Sequence, residues 1–229
     1  MRVSLPPSRM ASHRSDFASA SSATRLRRRR LSLWINSPHG ECRASSRFRS
    51  TGTKAHQAEP GPRFAEAFRK AGEAGLKRTV HAGESSGPEG VRDAIELLGA
   101  DRIDHGVRAI EDPAVVALLA ERGIPLGVCP TSNIALRVYS SMDEHPVDRL
   151  RRGGVRVSIN TDDPSLLMTN LPHEYEIAMA SYAWSEDVLR EVARVSIEAS
   201  FARPDTKEKL RSKLTNWRIG SETFDEISR

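Results

Sequence analysis

The stretch Val80-His81-Ala82-Gly83-Glu84 ends a short apolar run with an imidazole and a carboxylate three positions apart. Two later stretches, Arg102-Ile103-Asp104-His105-Gly106 and Asn160-Thr161-Asp162-Asp163-Pro164, follow apolar segments in the same way. In a barrel of parallel strands and helices, the reactive groups lie where the strands hand over to loops. The three stretches therefore predict strand ends whose polar side chains meet at one edge of a sheet.

Strand and helix patterns alternate along the chain from Gly61 onward. Helices are marked by apolar residues at helical spacing, and one is bracketed by the cap Asp112-Pro113 and the terminator Gly123. The stretch from Pro130 to Glu144 has no such pattern and is expected to be a loop. Strands are predicted at residues 77–81, 102–105, 124–129 and 156–160. Strands that alternate with helices through short connections predict parallel pairing and an α/β fold.

The net charge of +5 is unevenly distributed along the 229 residues. Met1–Ala58 contains twelve Arg or Lys residues and two acids, which leaves 23 bases and 28 acids in the remainder. We expect residues 1–60 to form a disordered Ser/Arg-rich extension and residues 61–229 to form the folded domain. The extension is either an organelle-targeting leader, a basic arm for nucleic acid or anionic membrane, or a segment without function.

Composition also limits the partners and the compartment. The mildly acidic body makes nucleic acid an unlikely partner, because a basic overall charge located in the extension says nothing about the folded part. No stretch approaches the roughly 18 apolar residues of a membrane span. The two cysteines, Cys42 and Cys129, have no metal-ligand or disulfide spacing, so a cytoplasmic location is the default expectation.

Together with Cys129-Pro130-Thr131-Ser132-Asn133, the three strand-end motifs resemble the adenosine and adenine deaminase family of zinc-dependent barrel hydrolases. The motifs occur in the family's order and at similar intervals. The resemblance covers residues 61–229 and implies a partial (β/α)8 TIM-type barrel, consisting of about strands 5 to 8 with their helices.

The resemblance also implies roles for the strand-end residues. His81 and Asp162 would bind one Zn²⁺ ion, which activates a water molecule for attack. His105 would orient and deprotonate that water. Glu84 would act as the general acid that protonates a ring nitrogen of a purine nucleoside or purine base.

Two further residues would contact the substrate. The resemblance implies that Asp163 holds a second ring nitrogen and that the Gly83 backbone allows the purine to approach closely. Asp104 is more similar to the adenine deaminase branch, whereas Thr131 and Thr161 are more similar to the nucleoside branch. We expect hydrolytic deamination of adenosine to inosine and ammonia, with adenine as the alternative substrate.

The sequence departs from the family in one respect that bears on the metal. The family supplies two more zinc ligands from a His-x-His pair, and none of the seven histidines here has that spacing. We therefore expect weakened zinc binding and impaired catalysis, or a non-catalytic half-barrel that acts through self-association of its open sheet edges. His145 and His173 are expected to be surface residues, and Cys129 a buried small side chain.

Overall fold

The structure is a computed structural model that describes residues 34–35, 41–44 and 61–217. Most of the expected extension, and the chain after Trp217, lie outside these residues, so the predicted domain boundaries stay predictions. Within residues 1–60 the structure describes two short strands, Trp34–Ile35 and Glu41–Ala44, which the sequence analysis did not predict.

The sheet has a simple topology, because its strands follow one another in chain order. Its first strand pairs antiparallel with the second, and every later pair is parallel. The carboxyl ends of the parallel strands therefore meet at one edge. The strands are β1 (Trp34–Ile35), β2 (Glu41–Ala44), β3 (Lys77–Ala82), β4 (Arg102–His105), β5 (Leu126–Val128) and β6 (Val157–Ile159).

Helices connect the parallel strands and continue beyond the last one. The predicted alternation of strand and helix is confirmed, and with it the α/β fold class. The helices are α1 (Gly61–Glu73), α2 (Pro88–Glu96), α3 (Pro113–Arg122), α4 (Pro130–Ala135), α5 (Val147–Arg152), α6 (Pro164–Leu167), α7 (Leu171–Tyr182), α8 (Glu186–Ala199) and α9 (Pro204–Asn216), with a 3-10 segment at Val107–Glu111.

Helix α3 shows why the end signals in the sequence were informative. The Asp112 side chain accepts a hydrogen bond from the Ala114 N–H at 2.8 Å, and Pro113 follows as the first helical residue. Gly123 ends the helix in the left-handed conformation, with φ of 62°. The predicted cap and terminator are both confirmed, since each satisfies backbone groups that the helix end would otherwise leave unpaired.

The stretch after β5 is a correction to the sequence analysis, which expected a loop from Pro130 to Glu144. Residues Pro130–Ala135 form helix α4, with Pro130 in the first turn. Ser and Asn usually weaken helices because their side chains compete for backbone hydrogen bonds. Here Ser132 and Asn133 bind other side chains instead, so their polarity does not oppose the helix.

The core lies between the sheet and the helices that cover it. All residues of β5 and β6 are buried, and α8 packs directly against β6. The largest side chains of this core include Phe68, Ile103 and Leu119. Among the described residues, no helix combines the length and apolar character needed to cross a bilayer.

Candidate active site

The site begins where β3 and β4 end side by side. Ala82 lies opposite His105 in the parallel register. After these residues each strand ends in a glycine with a left-handed backbone, Gly83 and Gly106. The Gly106 N–H donates to the Ala82 carbonyl at 2.8 Å, and the Arg108 N–H donates to the Gly83 carbonyl at 2.9 Å. These bonds hold the two strand ends together beyond the last ladder residues.

Gly83 is required by the protein's own packing. Its φ is +65°, and an added Cβ would lie 2.5 Å from Val91 Cγ2 and 3.1 Å from the Gly106 Cα. The resemblance implied that glycine here makes room for substrate. The structure adds a packing reason, since an added Cβ would meet a helix side chain and the neighbouring strand end, and the substrate role stays a prediction.

Two of the expected site residues have unusual backbone conformations. His105 and Asp162 have φ of 66° and 60°, in the left-handed region that residues other than glycine seldom adopt. Such strain persists only where the surroundings fix it, and it is concentrated at functional sites. Here it aims the two side chains at the same point.

The structure brings four of the six expected site residues together. The ligand atoms of His81, His105 and Asp162 all lie within 4.8 Å of one another. Glu84 Oε1 is 3.4 Å from His105 Nε2, and the Glu84 side chain is only 10% exposed. Asp163 is the exposed residue immediately before α6, one position beyond this cluster.

The donor set of the cluster fits a zinc ion. Zinc takes imidazole nitrogen and carboxylate oxygen at about 2.0–2.2 Å, which places two ligands of a tetrahedral site roughly 3.4 Å apart. Donor atoms within 4.8 Å of one another need only small side-chain movements to reach that spacing. A catalytic zinc site usually has three protein ligands. His81 and Asp162 supply two of them, because each offers one ligand atom to the cluster.

A carboxylate lies behind His81. Asp104 Oδ2 is 3.4 Å from His81 Nδ1, and the same oxygen accepts a hydrogen bond from the Thr79 hydroxyl at 3.1 Å. Arg102 Nε is 3.6 Å from the other Asp104 oxygen. Histidines that bind metals commonly have such a carboxylate on the second ring nitrogen. Asp104 occupies Nδ1 in this way, which leaves Nε2 as the His81 nitrogen available to a metal.

Side chains of helix α4 contact the other two members of the cluster, Asp162 and His105. The Ser132 hydroxyl donates to Asp162 Oδ2 at 2.7 Å. The Asn133 amide nitrogen lies 3.2 Å from His105 Nδ1, and Asn133 is completely buried. One short helix therefore positions a carboxylate from the end of β6 and an imidazole from the end of β4.

His145 is the second correction to the sequence analysis, which placed it on the surface. It is 3% exposed, and its Nε2 lies 3.1 Å from Asn133 Oδ1. Burial is the main cause that lowers the pKa of His145 to about 4, and Arg149 and His105 add to it. His173, which was also expected on the surface, is exposed.

A buried carboxylate fixes α4 itself. Glu174 is fully buried, and its two oxygens accept hydrogen bonds from the Thr131 N–H at 3.2 Å and the Thr169 hydroxyl at 2.7 Å. Helix α7 is thereby tied to the start of α4 and to the loop after α6. Because an unpaired buried charge is costly, this contact constrains both segments tightly.

The cluster opens into a cleft of about 530 Å³, lined by His81, Asp104, Asn160, Asp162 and Leu171 among others. Cys129 also lines it and is buried, as expected. Burial, followed by the nearby Asp162 and Asp104 carboxylates, raises the pKa of the Cys129 thiol. The thiol therefore stays protonated and is not an activated nucleophile.

Several supporting residues escaped the sequence analysis. Ser132 and Asn133 stood in a motif that carried the resemblance, but no role was assigned to them. Nothing in the sequence marked Glu174 or His145 as buried, because polar residues near a helix start are normally exposed to solvent. Their partners lie up to 43 positions away in the chain, so only the fold reveals them.

Comparison with known proteins identifies the family of the chain. The sequence model of the adenosine deaminase family matches residues 51–217. The adenine deaminase of Rhizobium rhizogenes is 47% identical over 151 residues, which are 66% of this chain and 47% of that protein. The aminodeoxyfutalosine deaminase of Streptomyces avermitilis is 45% identical over 158 residues, which are 69% of this chain and 44% of that protein.

Solved structures show the same fold. The adenine deaminase of Arthrobacter aurescens matches with a TM-score of 0.68 at 33% identity, over 72% of this chain and 50% of that one. An amidohydrolase of Burkholderia ambifaria with bound Zn matches with a TM-score of 0.62 at 31% identity, over 71% of this chain and 46% of that one. The chain spans about half the length of the proteins it matches. With the family model covering most of its length, the chain belongs to the adenosine deaminase family.

Proposed function

We propose that this chain carries the metal-binding and proton-transfer part of a site that hydrolyses the amino group of a 6-aminopurine. The supporting observation is the convergence of His81, Glu84, His105 and Asp162 at the ends of three strands. In the reaction, the oxygen of a water molecule bonds to the carbon that bears the amino group, and the bond from that carbon to the amino nitrogen breaks. One water proton leaves with the amino nitrogen as ammonia, and the other replaces the proton that Glu84 gives to the ring nitrogen.

Each residue of the cluster has a task that its surroundings support. Glu84 is shielded from solvent, and as a carboxylic acid it donates its proton to a purine ring nitrogen, which makes the adjacent carbon electrophilic. His105, whose Nε2 lies 3.4 Å from Glu84 Oε1, positions the attacking water. Asp163, exposed one position beyond Asp162, binds a second ring nitrogen of the purine.

His81 and Asp162 would hold a zinc ion, with Asp104 and Ser132 behind them. When bound, zinc supplies Lewis-acid activation of the attacking water. The bound Zn of the Burkholderia ambifaria amidohydrolase supports this choice of metal. The chain lacks the His-x-His pair, so we propose that it binds zinc more weakly than a site with a full set of ligands.

Adenosine is the substrate that the sequence favoured, and the relatives support adenine about as well. The names of the Rhizobium rhizogenes and Arthrobacter aurescens relatives favour the free base. The Streptomyces avermitilis relative is named for aminodeoxyfutalosine, so the relatives of this chain are named for different substrates. We therefore propose the 6-aminopurine ring as the recognised group.

The test uses the chain with measured zinc content, incubated separately with adenine and adenosine. Conversion to hypoxanthine or inosine is followed by chromatography, and binding by the NMR shifts of the His105 ring. Glu84→Gln keeps the shape of the side chain and should lower turnover by about 10²- to 10⁴-fold while leaving purine binding in place. A zinc-loaded chain that neither binds nor converts either purine would contradict the proposal.

A second proposal is self-association at the same edge of the sheet. Three large apolar side chains, Leu166, Met168 and Leu171, are 64%, 91% and 48% exposed just after the Asp162 motif. Exposed apolar side chains that are contiguous usually mark a contact surface, and we propose that a second copy of the chain covers them. Light scattering should show a dimer that Met168→Glu dissociates, and a monomer at micromolar concentration would refute it.

A further inference from the structure

The two histidines of the cluster have opposite kinds of partner on the ring nitrogen that faces away from the centre. His81 Nδ1 lies 3.4 Å from the Asp104 carboxylate, which only accepts hydrogen bonds. His105 Nδ1 lies 3.2 Å from the Asn133 amide nitrogen, which only donates. A neutral imidazole carries one proton, so the partner at Nδ1 decides whether Nε2 is a donor or an acceptor.

The orientation of the Asn133 amide follows from a backbone group. The Val147 N–H donates to His145 Nδ1 at 3.4 Å, so this nitrogen must accept and cannot carry the proton. His145 Nε2 therefore carries it and donates to Asn133 Oδ1 at 3.1 Å. With its oxygen used in this way, Asn133 turns its NH₂ group towards His105.

Burial prevents the chain of hydrogen bonds from reversing. His105, Asn133 and His145 are 1%, 0% and 3% exposed, so water does not replace a lost partner. Reversal would place two donors against each other, at Val147 and His145 or at Asn133 and His145. Burial also lowers the pKa of His145 to about 4, which keeps its ring neutral at pH 7.

We propose that Asn133 and His145 are positioning residues that hold His105 with its proton on Nε2, whereas Asp104 holds His81 with a lone pair on Nε2. His81 is thereby a metal ligand, and His105 a hydrogen-bond donor into the cleft. The His105 tautomer follows from its hydrogen bond to Asn133, and the His81 tautomer from the contact with the Asp104 carboxylate. That His105 Nε2 donates this hydrogen bond to the attacking water is a further step, which rests on the proposed function.

This assignment separates two residues that look alike in the sequence. His105 Nε2 lies 3.4 Å from Glu84 Oε1, and as a donor it can hold an oxygen atom beside it. In this tautomer Nε2 does not accept a proton from water, in contrast to the role that the family resemblance implied. It also does not bind a metal, because its lone pair is replaced by the N–H bond.

The direct test is a long-range ¹H–¹⁵N NMR spectrum of the metal-free chain, which distinguishes protonated from bare ring nitrogens. Wild type should show His105 protonated at Nε2 and bare at Nδ1. Asn133→Asp replaces the donor by an acceptor and should move the His105 proton to Nδ1. His145→Gln keeps a donor for the Asn133 oxygen and should leave the His105 tautomer unchanged.

Metal affinity gives a second readout that does not require turnover. Asn133→Asp should free the His105 Nε2 lone pair and raise Zn²⁺ affinity by about 10-fold or more, since outer partners of ligands change affinity by about 10- to 100-fold. Chelator competition measures it, with His173→Ala at an exposed histidine as the control. A wild-type His105 that carries its proton on Nδ1 would overturn the inference even if Asn133→Asp fails to fold. Failure to convert purines with the expected tautomers would count against the proposed function alone.

Discussion

The neutral, buried His145 should make the chain lose stability as the pH falls below the ordinary pKa of histidine. Its pKa in the folded chain is about 4, because burial disfavours the charged ring, with Arg149 and His105 contributing in the same direction. The pKa in the unfolded chain is about 6.5. Between these two values the unfolded chain binds a proton that the folded chain does not.

The sign and size of the effect follow from linkage. Stability falls with decreasing pH wherever the unfolded state binds more protons. The penalty is absent above pH 6.5 and grows as the pH falls towards 4. For a pKa of about 4 against 6.5, the free energy of unfolding should drop by roughly 2 kcal/mol between pH 7.5 and pH 5.0 because of this residue.

The assay is urea unfolding of wild type and His145→Gln at both pH values. Glutamine does not titrate, so the variant should lack this part of the pH dependence, whatever its stability at pH 7.5. All other groups are common to the two proteins, and their contributions cancel in the difference. If wild type and His145→Gln lose equal stability between pH 7.5 and pH 5.0, then His145 is not held neutral and the reasoning is refuted.

Three further substitutions test other contacts of the site. Glu174→Ala should lower the free energy of unfolding by about 2–4 kcal/mol, because Thr131 and Thr169 lose their buried hydrogen-bond acceptor. Urea denaturation measures it, and an effect below about 1 kcal/mol would contradict this expectation. Gly83→Ala should lower the free energy of unfolding by about 2–4 kcal/mol, because the new Cβ is crowded. Gly123→Ala is also at positive φ, but apart from its chain neighbours no atom of the described residues lies within 4 Å of the new Cβ, so it should cost about 1–2 kcal/mol. Equal costs in thermal unfolding would show that the crowding is not real. Ser132→Ala should weaken Zn²⁺ binding about 10-fold or more, as measured by chelator competition, because Asp162 loses the hydroxyl that orients it; unchanged affinity would remove Ser132 from the site.

The strand ends could be predicted from the sequence because parallel strands impose a simple rule. Once three apolar runs alternate with helices, their carboxyl ends must lie at the same edge, and His81, His105 and Asp162 then come together. No side-chain detail is needed for that step. The same rule does not say which nitrogen of an imidazole faces the centre, and so it could not separate ligand from donor.

The supporting contacts could not be predicted, for physical reasons that differ from residue to residue. His145 stands in a polar stretch beside Pro146, and its burial depends on Asn133, twelve positions earlier in the chain. Glu174 occupies the first turn of α7, where an acid is favourable in any exposed helix. Helix α4 was expected to be a loop because its Ser and Asn residues signal one until their tertiary partners are known.

The central claim is that His81 and Asp162 bind one zinc ion, with Glu84 and His105 beside it. The most direct measurement is native mass spectrometry of the purified chain at saturating Zn²⁺, with a matched pair of ligand variants. We expect one zinc ion per chain in wild type and none in His81→Ala or Asp162→Ala, while His173→Ala, at an exposed histidine away from the site, retains it. Zinc that persists in both ligand variants, or a wild-type chain that takes up none, would contradict the account.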